Sequence, residues 1–267
     1  VPYFAESAAD FLKDSSGIIF IGSRPPVSFF AYPDKKSYLT PPETKIVNLC
    51  SAEQDGLYAL NSLADEAGAN KINKNLLQTP ISDVPESGNL DASNLGLLIA
   101  NLMPENSIVS DEAATSSFLV TPQALKAKPH DWLCLTGGSI GQGLPLAVGA
   151  AIAKPDRPVI TLHGDGGAMY TVQALWTQAR ENLNITNIIF ANHSYEILKI
   201  ELSRVGAVKT GQRADSMFSL DNPKLDWIKL SQSMGVPCYE PKTVEDFIKN
   251  FSSCVHEDGP STILIQI

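Results

Sequence analysis

The stretch VITLHGDGGAMY, residues 159–170, sets an aspartate between glycines at the end of an apolar run. Burying an unpartnered carboxylate costs several kcal/mol, so Asp165 needs a partner that offsets its desolvation. One candidate lies 27 positions on, at Asn192. A helix of about sixteen residues after Gly166, with Val172, Leu175, Trp176, Ala179 and Leu183 on one face, rises roughly 24 Å. A strand of six or seven residues then returns about 20 Å, and the chain comes back to the edge it left. Right-handed parallel crossovers put Asp165 and Asn192 at carboxyl ends of strands, where open α/β sheets bind ligands. A carboxylate, an amide oxygen and a backbone carbonyl just beyond suit a hard cation such as Mg²⁺, completed by phosphate oxygens and water. Gly166 and Gly167 let the amides of a helix N-terminus approach a diphosphate.

The elements that must hold these residues alternate. Residues 1–70 read as helix, strand, loop, strand, helix. Ile18, Ile19, Phe20 and Ile21 run into Gly22 as a buried parallel strand, and KIVNL (45–49) forms a second. SAEQ at 51–54 is a capping box opening a helix with Leu57, Leu60 and Leu63, which stops near Gly68. Two strands are too few for a whole domain. Residues 71–90 are rich in Pro, Ser, Asn and Asp without a sustained period and read as a linker. From 91 to 267 an amphipathic helix (Leu95, Leu98, Ile99, Leu102) precedes strands at 107–110, 132–135, 159–163, 187–192 and 262–267. Helices at 141–153, 168–183, 224–234 and 244–252 separate most of them. The fold class is therefore α/β, a parallel sheet with helices on both faces, preceded by part of a second α/β domain.

Bulk properties narrow the function. The formal charge of -9, with no cluster of Lys and Arg, disfavours a nucleic-acid or anionic-membrane partner. The longest strongly apolar stretch, 144–153, is too short to span a bilayer, and the first residues lack the pattern of a secretory leader. Four scattered cysteines with no C-x-x-C indicate neither zinc nor a disulfide framework, which points to a reducing, cytoplasmic compartment. The start at Val1 and the missing strands point to a piece of a longer chain.

GDG followed by the turn Ala191-Asn192-His193-Ser194-Tyr195 resembles the thiamine diphosphate motif of the 2-keto acid decarboxylases and acetolactate synthases. LTGGSIGQGLPLAVGAA, 135–151, is similar to the glycine-rich segment that precedes that motif in the family, and DEAATSS, 111–117, to a stretch touching the diphosphate. The resemblance implies Mg²⁺ ligation by Asp165, Asn192 and the Ser194 carbonyl. It implies a diphosphate against Gly164, Gly166, Gly167 and Thr115, with Tyr195 over it. It assigns the catalytic contacts to the Gly138 carbonyl, on the cofactor's amino group, and to Ile140, wedged between its rings. Glu112 is a further candidate for the site lining. Ile197 and Leu198 line the substrate or form the apolar face of the next helix. His163 is expected to pack within the sheet, and His193 to be either a solvated loop histidine or a neutral imidazole lining the pocket.

By the same resemblance, residues 91–267 are expected to form a thiamine diphosphate- and Mg²⁺-binding domain, and 1–70 resemble part of the family's central domain. That part lacks G-x-G-x-x-G, so its expected role is structural. The implied reaction is decarboxylation of a 2-keto acid, with the remaining unit passed to a second carbonyl compound, as in acetolactate synthase, or released, as in benzoylformate decarboxylase. A non-catalytic cofactor-binding subunit is the other reading. The family's activating glutamate comes from an N-terminal pyrimidine-binding domain of a second subunit, and that domain is not found in this chain. The resemblance therefore implies a homo-oligomer and a parent chain of about double the length, one further domain being needed.

Overall fold

The computed structural model describes residues 1–69, 83–207 and 211–267. The chain divides into two compact units, one of residues 1–69 with 201–207, the other of 83–200 with 211–267. Most of the expected 71–90 linker lies outside the described residues.

The first unit contains α1 (Ala5–Leu12), β1 (Gly17–Ile21), β2 (Lys45–Cys50) and α2 (Gly56–Glu66), the order read from the sequence. The strands pair in parallel, Gly17 opposite Lys45. The expectation that β1 is buried fails: Phe20 alone in the strand is buried, and Ile19 is exposed. A two-stranded sheet is too small to be covered on both faces. SAEQ does not open the helix either. Gln54 Oε1 accepts the Ser51 N–H at 2.8 Å, closing a local turn, and Asp55 caps α2 by accepting the Tyr58 N–H at 2.9 Å. Leu57, Leu60 and Leu63 are exposed. The core here is Ala5, Ala8 and Leu12 of α1 packed on Tyr32 and Leu39. Tyr32 donates its hydroxyl to Glu201 at 2.6 Å, and Arg204 grips both Glu6 oxygens at 2.9 and 2.8 Å.

The second unit runs α3 (Ala92–Leu102), β3 (Ile108–Glu112), a 3₁₀ turn (Ala114–Ser116), α4 (Ser117–Ala124), β4 (Asp131–Cys134) and α5 (Gly143–Ala153). Then come β5 (Val159–Gly164), α6 (Asp165–Ala168), α7 (Ala174–Arg180), β6 (Ile185–Ala191), α8 (Glu196–Arg204), whose residues from 201 on fall in the first unit, and α9 (Gln212–Met217). It closes with α10 (Trp227–Ser233), β7 (Cys238–Tyr239), α11 (Val244–Cys254) and β8 (Ser261–Gln266). The six strands form one parallel sheet in the order β4-β3-β5-β6-β8-β7. Alternation sends Ile188 and Phe190 to one face, against Leu98 and Ile99 of α3 and Phe247 and Phe251 of α11. Ile189 and Ala191 go to the other, against Leu144 of α5, Leu175 of α7 and Trp227 of α10. Both faces are covered, which is why these strands read as unbroken apolar runs.

The single helix expected over 168–183 is instead two. A turn of i→i+3 bonds, such as Thr171 N–H to Ala168 and Ala174 N–H to Thr171, separates α6 from α7. The Thr171 hydroxyl donates to the Gly141 carbonyl at 2.7 Å, tying this break to the glycine-rich segment. Trp176, expected on the buried face, is half exposed, with Arg180 over its ring. The connection still returns the chain to the same edge.

From β3 the chain moves to β4 on one side, whereas β5 continues to β6 on the other. The sheet therefore reverses winding between β3 and β5. Diverging loops at such a point leave a crevice at the carboxyl ends of the strands.

Candidate functional site

Both strands flanking that crevice end in an acid. Glu112 closes β3 and Asp165 follows β5, only 4% and 2% exposed. A cavity of about 300 Å³ opens between them, lined by Glu112, Thr115, Ile140, Gly164, Asp165, Gly166 and Gly167 from one side and Asn192, Ser194 and Tyr195 from the other. Leu135, Ile197, Leu198, Met217 and Phe218 supply an apolar wall.

Asp165 is held by backbone. Its Oδ1 accepts the Gly166 N–H at 2.9 Å and its Oδ2 the His193 N–H at 3.0 Å. Burial pushes its carboxyl above the ordinary range, and those two N–H donors with the nearby His193 ring only partly oppose the rise. Asn192 Oδ1 accepts the Ser194 N–H at 3.0 Å, folding the side chain over its own turn. The turn is pinned to residues 218–220, with Tyr195 donating to the Phe218 carbonyl at 2.9 Å and Leu220 to the His193 carbonyl at 2.8 Å. That pairing passes over the Ser194 carbonyl. Among the described residues no group of three or more His, Cys, Asp or Glu side chains could hold a metal. A metal here therefore rests on mixed oxygen donors, and an under-compensated carboxylate beside an amide oxygen and a backbone carbonyl fits a small hard cation.

The glycines are required by space. A Cβ on Gly166 would stand 2.6 Å from Tyr195 Cε1, and one on Gly167 3.0 Å from Glu112 Oε1. The bare backbone lets Tyr195 pack directly on Gly166, and Glu112 and His163 on Gly167.

Of the two readings of His193, the solvated loop residue fails. Its side chain is 15% exposed, its backbone is left-handed at φ 52°, its Nε2 lies 2.8 Å from Gln266 Oε1 and its Nδ1 3.9 Å from Asp165 Oδ2. The parallel register sets Ala191 beside Gln266, which brings β8 to a histidine just past the end of β6. His163 is buried within the sheet, its Nε2 3.3 Å from Glu112 Oε2. Gly138 also departs from expectation. It does not line the cavity, and its carbonyl accepts the Ile140 N–H at 3.0 Å in a tight turn. Ile140 does line the cavity and is half exposed.

Sequence reasoning gave Glu112 no task beyond lining. Its carboxylate accepts the Gly141 N–H, and the Gly143 N–H at 2.6 Å. Burial raises this carboxyl, but the His163 ring beside it and the two amides outweigh it, so it sits below the usual range. An acid at the end of the mostly buried strand IVSDE is the signal that marks it. Tyr170, Glu196 and Phe190 also line the cavity and were not anticipated.

Comparison with known proteins identifies the family. The family described as "Thiamine pyrophosphate enzyme, C-terminal TPP binding domain" matches residues 115–265. The chain is 42% identical over 268 residues to the Mycobacterium tuberculosis protein named "Putative acetolactate synthase large subunit IlvX", covering 98% of this chain and 50% of that one. It is 28% identical over 191 residues to benzoylformate decarboxylase of Pseudomonas aeruginosa, covering 72% of this chain and 34% of that one. In fold it resembles the thiamine diphosphate-dependent 4-hydroxybenzoylformate decarboxylase of Rhodococcus jostii RHA1, with a TM-score of 0.75, 24% identity, and coverage of 100% of this chain and 51% of that one. The chain thus spans about half the length, or less, of these relatives. By its sequence and by the parallel sheet that builds the site, it belongs to the thiamine pyrophosphate enzymes and carries their C-terminal TPP binding domain.

Proposed function

We propose that the chain holds thiamine diphosphate through Mg²⁺ and serves an enzyme that decarboxylates a 2-keto acid and passes on the remaining unit, as acetolactate synthase does. The observation that carries this is the buried Asp165 carboxylate beside Asn192 and the Ser194 turn, at the mouth of a glycine-walled cavity. Asp165, Asn192 and the Ser194 carbonyl would hold the metal; the Gly166 and Gly167 backbone, with Thr115 and Tyr195, would face the diphosphate. When bound, the cofactor supplies the electron sink that lets a 2-keto acid lose carbon dioxide. Ile140 would support its ring portion. Leu135, Leu198 and Phe218 would keep water from the reacting centre. The activating glutamate would come from a pyrimidine-binding domain of a second subunit, in a homo-oligomer.

A lyase acting on an aromatic 2-keto acid is the second reading, supported by the aromatic and apolar lining of Tyr170, Tyr195, Phe218 and Met217. Calorimetric titration of thiamine diphosphate, with and without Mg²⁺, tests the shared core of both. Wild type should bind only with the metal. Asp165→Ala should bind about a hundredfold more weakly or worse, since losing even an outer partner of a metal ligand costs 10–100-fold. Equal, metal-independent affinity in both proteins overturns the assignment. Product analysis with pyruvate and with benzoylformate, on the assembled enzyme, separates transfer from release.

A further inference from the structure

The Glu112 carboxylate is buried at the end of β3, and its partners come from two different segments. Oε1 accepts the Gly141 N–H and Oε2 the Gly143 N–H, so one side chain holds both ends of the turn that follows Ile140. On its other side lies the His163 ring, opposite Glu112 in the β3–β5 register, with Nε2 3.3 Å from Oε2 and Nδ1 3.1 Å from the Gly164 carbonyl. The fit allows no slack. A Cβ on Gly143 would stand 2.7 Å from His163 Cδ2 and 3.1 Å from Glu112 Cβ, and a Cβ on Gly167 3.0 Å from Glu112 Oε1. The acid thus packs between the turn bearing Ile140 and the Gly164–Gly167 turn.

We infer that Glu112 is a positioning residue that sets Ile140 at the height required by the ring portion of the cofactor, an inference resting on the thiamine diphosphate reading above. Its two oxygens are matched to two backbone donors, an arrangement an amide cannot reproduce: in Glu112→Gln one of the two N–H groups faces an NH₂. The diphosphate end of the cavity is built from Asp165, Asn192 and the α6 amides, whose hydrogen bonds do not involve Glu112. The two ends of the ligand should therefore respond differently.

The test titrates wild type, Glu112→Gln and Ile140→Ala with thiamine diphosphate and separately with inorganic diphosphate, both with Mg²⁺. Loss of one charge-assisted bond and exposure of one unmatched donor should weaken thiamine diphosphate binding by about tenfold or more in Glu112→Gln, with inorganic diphosphate affinity unchanged. Ile140→Ala should show the same split, and the double variant should lose no more than the larger single loss. Equal weakening of both ligands, or of neither, overturns the inference. Amide exchange on wild type needs neither variant nor cofactor. Gly141 and Gly143 exchanging as slowly as the interior of α5 support the clamp, and exchange as fast as at Gly137 overturns it. If wild type binds neither ligand, the proposed function fails, and amide exchange still decides the clamp.

Discussion

Asp165 and Glu112 are both buried carboxylates at strand ends, yet their surroundings drive them in opposite directions. Asp165 has burial as its dominant influence and its carboxyl is raised; Glu112 has a histidine and two amides that overcome burial and its carboxyl is lowered. A lowered carboxyl stabilises the fold fully above its unfolded value and loses that contribution as pH falls through the folded one. Glu112→Gln should therefore cost about 2 kcal/mol near neutrality, with the gap to wild type closing as pH drops below about 4. Urea midpoints across pH 3–7 check this, and a gap independent of pH would sink it. The thiols offer a second residue-level check. Burial, then the fields of Glu240 and Asp226, pushes the Cys238 thiol up to about 12, and Cys254 is buried and raised as well, whereas Cys134 is exposed. Mild alkylation followed by peptide mapping should label Cys134 first and leave Cys238 and Cys254 until the chain unfolds. Asp165 and Asn192 were legible because both lie beside strand ends whose spacing a ruler can follow. The Glu112 clamp was not, because its donors lie 29 and 31 positions away and belong to backbone that leaves no mark in residue type. The surroundings of His193 were not legible for a similar reason: its partner Gln266 arrives through β8, the last strand in the chain.

Elements were legible where burial writes a period. Leu95, Leu98 and Ile99 announced α3, and the apolar runs of β5 and β6 announced a sheet covered on both faces. The break between α6 and α7 hid behind Val172 and Leu175, whose helical spacing continues across a turn held by the Thr171 hydroxyl. Helix α4 had no amphipathic pattern to read. It is fixed instead by contact with α3, where a Cβ on Gly96 would stand 2.0 Å from the Leu119 carbonyl oxygen. Backbone cannot yield as a side chain does, so Gly96→Ala should destabilise by about 3 kcal/mol, lowering the melting temperature by roughly 6–12 °C. Gly149, in α5, has nothing within 4 Å of its would-be Cβ. Gly149→Ala should therefore stabilise by about 0.5–1 kcal/mol, from helix propensity and unfolded-state entropy alone. Thermal melts of the pair separate crowding from propensity, and equal shifts would contradict the close approach of α3 and α4.

At the scale of the whole molecule, the cavity is walled by its own sheet on one side and open on the other. Ile140, Tyr170, Leu198 and Met217 line it and are nonetheless exposed. Decarboxylation gains from excluding water, and apolar side chains at the mouth of such a site gain roughly 25 cal/mol for each Å² that a further surface covers. The chain spans 50% of its 42%-identical Mycobacterium tuberculosis relative, and on the function proposed above that surface would come from the other half of such a protein. Alone, the chain should bind thiamine diphosphate and Mg²⁺ without releasing carbon dioxide from pyruvate or benzoylformate. Co-expression with the N-terminal half of that relative should restore turnover, and Asp165→Ala should abolish it again. Carbon dioxide release measured on the isolated chain, on the pair and on the pair carrying the variant distinguishes the cases. Turnover by the isolated chain would mean that its open cavity already excludes water and supplies its own activating acid, with Glu196 the carboxylate on the lining that remains for the task.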